Sequence, residues 1–324
     1  RICMAEYQQE GVHPRGAAVE QVQEAPRQEA ARDVADLAVE AAESRRRQVS
    51  TWKRLRQSPA AMIGLALVIL LLLTAVFADL IASQGIDEQN LRSGLLPPSR
   101  EYPFGTDEFG RDMLSRIIHG SRVSLQVGII AMVISATFGV TLGAVAGYRG
   151  GRLDYVIQGI VDISWAFPTV LMAIFLVAVL GPGLGNVMIA VGLVYWGGFA
   201  RVVRGQVLSL REWEFVLGAR AIGADDWRIM GRHILPNVLA PVIVMATLMM
   251  ADAILIEATL SFLGMGAQPP TPSWGSILAS GRAYLTLAPW VTLFPGIAIM
   301  LTVLGFNLLG DGLRDALDPR LKNQ

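Results

Sequence analysis

The chain has little charge, almost no lysine and one cysteine. Only 17% of its 324 residues are Asp, Glu, Lys or Arg, against roughly a quarter in ordinary soluble domains. Acids and bases cancel to a formal net charge of zero, so no basic surplus points to nucleic acid. The single cysteine, Cys3, excludes an intrachain disulfide framework and any Cys-rich zinc site. His13, His119 and His233 lie far apart in sequence, so no local metal-ligand motif exists. Neither lysine, Lys53 or Lys322, follows a glycine. The phosphate-cradling sequence G-x-x-x-x-G-K-[ST] therefore cannot occur, and the chain carries no P-loop ATPase. Ser, Cys and His form no readable nucleophile arrangement. No secretory signal peptide is visible, because the first apolar run begins only near residue 59.

What the chain has in abundance is apolar sequence. Hydrophobic residues make up 53% and the mean hydropathy is +0.47. The run from Ala60 to Ala82 is long enough to cross about 30 Å of hydrocarbon as a helix. Five further runs follow, at Val123–Tyr148, Leu153–Leu180, Asn186–Val203, Asn237–Leu263 and Pro289–Leu309. The expectation is an all-α polytopic membrane protein with six transmembrane helices. Gly139, Gly143 and Gly147 recur at every fourth position, a small-xxx-small face on which two helices can approach closely. Pro168 inside the third run is expected to kink it. Trp165, Tyr195, Trp196, Trp274 and Trp290 are read mostly as interfacial anchors near helix ends.

Orientation follows from the charges. Arg45, Arg46, Arg47, Lys53, Arg54 and Arg56 precede the first run, so the N-terminus is expected in the cytoplasm. Six crossings return the C-terminus there. The expected division is a polar cytoplasmic tail over 1–58, a first transmembrane helix over 59–82 and an extracytoplasmic loop over 83–122. A five-helix core over 123–312, with a cytoplasmic loop at 204–236, and a cytoplasmic tail over 313–324 complete it. In the tail, Gln28–Gln48 reads either as an Ala-rich helix after Pro26 or as a solvated segment. The chain opens on Arg1, and Met4 is a candidate start. In the external loop, Phe104–Ser121 is expected to include an amphipathic helix on the outer surface.

The cytoplasmic loop is the most informative segment. It reads SLREWEFVLGARAIGADDWRIMGRHILPN from Ser209 to Asn237. Ser209 and Glu212 have capping-box spacing for a short helix. Gly223 fits the position after its end, where glycine enters the left-handed region cheaply. Asp225 or Asp226 can cap a second helix, and Pro236 suits the start of the next crossing. Physically this is a rigid, charged helix–turn–helix unit. An interfacial amphipathic hairpin is the plainer alternative.

The loop resembles the cytoplasmic "EAA" loop of binding-protein-dependent ABC importer permeases. It matches that pattern at Ala219, Gly223, Leu235 and Pro236, and departs at Leu217-Gly218 and His233. Two further blocks, FGTDEFGRDMLSRIIHGSRVSL at 104–125 and EATLSFLGMGAQPPTPSWGSIL at 257–278, make it similar to the dipeptide, oligopeptide and nickel subfamily. The nearest type is the second permease subunit. The resemblance implies the type I importer permease fold and a multi-pass place in the bacterial cytoplasmic membrane. It implies as partners a homologous permease chain, two cytoplasmic ATPase subunits that hold ATP and Mg, and an extracytoplasmic substrate-binding protein. No cofactor, metal or catalysis is implied for this chain itself. The loop would dock on an ATPase subunit through Glu214, Ala219, Arg220, Gly223 and Arg228, with Leu235 and Pro236 closing the motif.

Asp162, Asp252 and Glu257 lie within or near crossings, where an ionised group is costly. They read either as a polar translocation path for zwitterionic peptides or as packing glue between helices. The implied cargo is short peptides, with nickel, glutathione or other small cargo as alternatives. An ion-coupled secondary transporter is the rival class, but no inverted repeat is visible and the docking loop would have no use.

Overall fold

A computed structural model describes residues 51–317. The tail helix read after Pro26, the arginines at 45–47 and 320, and Lys322 lie outside the described residues. Among the described residues helices dominate, and the only β-type pairing is an isolated bridge between Thr106 and Asp112. In chain order the helices are α1 (Thr51–Gln57), α2 (Pro59–Val76), α3 (Ala78–Ile81), α4 (Met113–Arg149), α5 (Gly151–Trp165) and α6 (Thr169–Leu180). They continue as α7 (Leu184–Leu210), α8 (Glu214–Ala221), α9 (Asp226–Ile229), α10 (Leu235–Phe262), α11 (Trp274–Gly281) and α12 (Trp290–Leu317).

Five helical runs are individually long and apolar enough to cross a membrane: α2, α4, α7, the continuous run Asp226–Phe262, and α12. The pair α5 and α6 makes a sixth span when taken together, bent by 94°. Here the kink read at Pro168 is replaced by a full break. Proline offers no N–H and disfavours helical geometry in the residue before it. So α5 stops at Trp165, and Pro168 serves as the N-cap of α6.

Small residues set the helix contacts, because lipid supplies no hydrophobic drive between apolar helices. Gly139, Gly143 and Gly147 of α4 lie directly on α7. A methyl group at Gly143 would strike the backbone of Ala200, and one at Gly147 would come within 2.8 Å of the Arg204 carbonyl oxygen. The same device joins α2 to α12, where Gly64 faces the backbone of Gly305 and Leu309. Two apolar clusters result. One holds α4, α6, α7, α10 and the segment 210–234 together around Phe199, Val207, Ile229 and Leu260. The other packs α2, α4, α10, α11 and α12 around Met113, Trp274, Ile277 and Val291.

The helix expected within Phe104–Ser121 starts only at Met113 and is the beginning of the spanning α4 rather than a separate surface helix. Residues 104–112 form a tight loop. Asp107 holds the loop closed by accepting from the Phe109 and Arg111 amides, each at 2.9 Å, and from Arg111 Nε at 2.6 Å. Asp112 caps α4 through the Ser115 amide at 2.9 Å. Gly105 and Gly110 supply the left-handed turns, with φ of 76° and 72°. Trp274 is no interfacial anchor: it is buried, and its indole N–H donates to the Ile117 carbonyl at 2.9 Å. Tyr195 and Trp196 fall in the middle of α7, half-buried, rather than near an end.

Candidate functional site

The segment between α7 and α10 forms a helix–turn–helix, starting later than its capping pattern suggests. Ser209 still belongs to α7, and α8 starts at Glu214 after Trp213, which offers no side-chain cap. Glu214 nonetheless places a carboxylate in the first turn, where the helix dipole favours it. The end of α8 is a full Schellman turn. The Ala224 amide donates to the Ala219 carbonyl and the Gly223 amide to the Arg220 carbonyl, both at 3.0 Å. Gly223 has φ of 82°, which a side chain resists. Asp225 then caps α9 by accepting from the Arg228 amide at 3.3 Å. From Met230 to Ile234 the chain makes a π-helical turn and runs into α10, with Pro236 in its first turn.

The unit has two faces. Val216, Ala219, Ile229 and Ile234 are buried against the bundle, and Leu235 is partly buried there. Ala219 is thus small because it packs inward. Glu214, Arg220, Gly223, Arg228 and Pro236 are exposed. Sequence reading passed over the apolar residues beside them: Ile222 is 87% exposed and Trp227 78%, with Trp213, Phe215 and Leu217 also open. Two consecutive elements with five large apolar side chains in water are a surface that calls for a partner.

The unit is also tied to the end of α4. Tyr148 donates its hydroxyl hydrogen to Asp226 Oδ1 at 2.7 Å, and the Arg220 guanidinium lies 5.9 Å from the Tyr148 ring centroid. Arg211 Nη1 donates to the Gly147 carbonyl at 3.1 Å. Phe215 and His233 lean on one another at 6.3 Å, so His233 acts in packing.

The three acidic residues of the crossings do not meet. Glu257 is fully buried, accepts from Ser261 Oγ at 2.7 Å and faces Ser124 Oγ of α4 at 3.4 Å. Ser261 Oγ in turn accepts from the Ala267 amide at 3.2 Å. This is an internal polar knot, away from any surface of the chain. Asp252 is exposed on α10, and Asp162 is exposed near the end of α5, paired with Arg201 of α7. The Arg201 guanidinium lies 4.0 Å from the Trp165 ring centroid. Each charge left facing hydrocarbon at a helix centre costs about 2.5–3.5 kcal/mol on insertion scales. The exposed pair is therefore a mark of water or of a neighbouring chain.

These features define a polytopic helical membrane protein with a rigid, partner-seeking helix–turn–helix at one end. Residues 139–323 match the family described as binding-protein-dependent transport system inner membrane component. Residues 48–98 match the N-terminal TM domain of oligopeptide transport permease C. The chain is 50% identical over 279 residues to the dipeptide transport system permease protein DppC of Alkalihalophilus pseudofirmus, covering 85% of this chain and 92% of that one. To the oligopeptide transport system permease protein OppC of Bacillus subtilis it is 42% identical, over 86% and 92% of the two chains. To the glutathione transport system permease protein GsiD of Escherichia coli it is 46% identical, over 84% and 90%. A chain of the MetNI methionine ABC transporter, solved in inward-facing conformations, superposes with a TM-score of 0.52 at 19% identity over 64% of this chain and 98% of that one. That likeness shows the fold. The chain belongs to the binding-protein-dependent transport permeases: it is a multi-pass bacterial inner-membrane component of the ABC importer type.

Proposed function

We propose that this chain forms half of the translocation path of an ATP-driven importer of short peptides. A homologous permease chain supplies the other half. Two cytoplasmic ATPase subunits bind ATP and Mg, and an extracytoplasmic binding protein delivers cargo. Both termini and the helix–turn–helix lie on the cytoplasmic side, in keeping with the arginine-rich flanks. The segments 1–58, 59–82, 83–122, 123–312 and 313–324 then serve as tail, first span, external loop, permease core and C-terminal tail. This chain itself performs no covalent chemistry.

One observation carries the reading: the exposed Ile222, Trp227 and Phe215 sit on a capped unit whose inner face is buried in the bundle. Such a unit moves as a body. When the ATPases close on ATP, α8 and α9 are carried with them, and the hydrogen bond from Tyr148 to Asp226 takes the end of α4 along. The bundle then turns its central cavity from one side to the other. Glu214, Arg220 and Arg228 ring the apolar contact and can pair across it. Cargo of peptide class rests on the relatives named for dipeptides and oligopeptides. Glutathione, the cargo in the name of a relative at similar identity, is itself a short peptide with a free amine and free carboxylates.

Gentle detergent extraction at native expression, followed by mass spectrometry, tests the assembly. A second permease and ATPase chains are expected with the wild-type protein. Trp227→Asp, and separately Gly223→Val, are expected to lose the ATPases by tenfold or more, on the order of an interface hot spot, while the second permease remains. Recovery of this chain alone, or as a homo-oligomer, would put an ion-coupled secondary transporter first.

A further inference from the structure

Two ion pairs join α5 to α7, and they differ in kind. Arg204 grips Asp154 with two nitrogens, Nε on Oδ1 and Nη2 on Oδ2, the latter at 2.7 Å; the aspartate side chain is 17% exposed. That is a closed fork on a carboxylate. Arg201 touches Asp162 through Nη2 alone, and the aspartate side chain is 66% exposed. One carboxylate oxygen and most of the guanidinium donors stay open there. At about 1.5 Å per residue, Arg201 lies about 14 Å from the C-terminal end of α7 and Asp162 about 16 Å from the N-terminal end of α5. Arg201 thus stands near the end of the apolar run Asn186–Val203, and Asp162 within the run Leu153–Leu180.

The surroundings suit a guest of variable shape. Trp165 lies flat enough against Arg201 for a cation–π contact at 4.0 Å. The terminal methyl groups of Met245 and Met249 pack over Gly198, beside the Trp165 ring. Methionine and an aromatic plate make an apolar wall that adapts to different side chains. The helix carrying Asp162 is lightly held, since only Ile157 and Val161 of α5 are buried and its far end is broken from α6 at 94°.

We propose that Asp162 and Arg201 read the two ends of a zwitterionic cargo, the α-ammonium on Asp162 and the α-carboxylate on Arg201. The ion pair opens, each member takes the opposite charge of the guest, and the number of uncompensated charges in the path does not change. Trp165, Met245 and Met249 face the guest's side chains without selecting among them. Asp154 and Arg204 remain a structural latch. The proposal rests on the peptide-import reading above and adds the chemistry by which this chain would favour peptides with both ends free.

The test uses the whole complex, with its binding protein and ATPases, in liposomes. Uptake is measured for alanyl-alanine, its N-acetyl form and its C-terminal amide, each at a concentration that saturates the binding protein. Arg201→Gln is expected to lower uptake of the free dipeptide about tenfold to a hundredfold, as for a hydrogen bond to a charged group. Uptake of the amide should change little, so the ratio between the two collapses. Asp162→Asn should do the same for the ratio of free to N-acetyl dipeptide. Arg201→Lys should restore part of the discrimination, and Asp154→Asn should lower thermal stability while leaving both ratios as in wild type. Because the binding protein is common to all variants, its own selectivity cancels in these comparisons. Ratios unchanged in Arg201→Gln and Asp162→Asn, or equal losses for all three probes, overturn the proposal while leaving the import reading intact. A wild-type complex that assembles with its ATPases yet moves none of the probes overturns the peptide reading and this proposal with it.

Discussion

Single side chains decide whether charge inside this bundle is structural or available. Glu257 is enclosed and hydrogen-bonded to Ser261, with Ser124 facing its other oxygen. Glu257→Ala leaves those hydroxyls without an acceptor, which costs about 1–3 kcal/mol for each buried group left unpaired. A clear fall in the thermal midpoint, followed by tryptophan fluorescence in detergent, is the expected outcome, and Glu257→Gln should recover much of it because an amide oxygen still accepts. Just past the end of the spanning helix α2 at Val76, Asp79 of α3 is held below the usual carboxylate range by its hydrogen bonds to Arg122 and then to His119. A depressed carboxyl stabilises the fold above its unfolded value of about 4 and loses that contribution as pH falls through the lower folded value. The Asp79→Asn variant should therefore melt below wild type at pH 7, and the gap should close in acid. A gap that persists unchanged after the carboxyl is protonated would exclude this ion pair as its source. Sequence alone identified Glu257 as a costly charge in a span. It could not tell that serines from two helices enclose it, since Ser124 is more than a hundred residues away.

Helices meet here by backbone proximity, and the clearest case is α4 on α7. Gly143 sits so close to Ala200 that even a methyl group clashes with backbone atoms, which cannot swing aside. Gly143→Leu must push the helices apart, and overpacking of this kind costs about 1–3 kcal/mol or more. Loss of the folded monodisperse species on size exclusion, with Gly159→Leu unaffected because nothing lies within 4 Å of that glycine, is the expected result. The spacing of Gly139, Gly143 and Gly147 already announced this face. The partner helix was not legible, because a small-residue stripe says how close a neighbour comes and not which neighbour it is. The same limit applies to α5 and α6. Pro168 signalled an interruption, but the choice between a kink and a 94° break depends on what the two halves pack against.

At the scale of the whole molecule, the chain presents two unlike surfaces. One is the capped helix–turn–helix with Ile222 and Trp227 in the open. The other is the face where α5, α7 and α10 bring together Asp162, Arg201, Trp165 and the methionines Met245 and Met249. The first suits a protein partner and the second a small charged guest, and α7 leads from one to the other. Local information was enough for much of this. Runs of apolar residues set the spans, and glycine and aspartate at fixed offsets set the turn after α8. Those are features of short range, governed by the length of a helix in lipid and by what a backbone turn tolerates. Tertiary structure decided which faces turn outward. It put Ala219 inside and Ile222 outside, joined Asp162 to Arg201 across 39 residues of chain, and enclosed Glu257 while leaving Asp252 exposed. Burial and pairing are properties of the space between helices, and residues distant in sequence create that space.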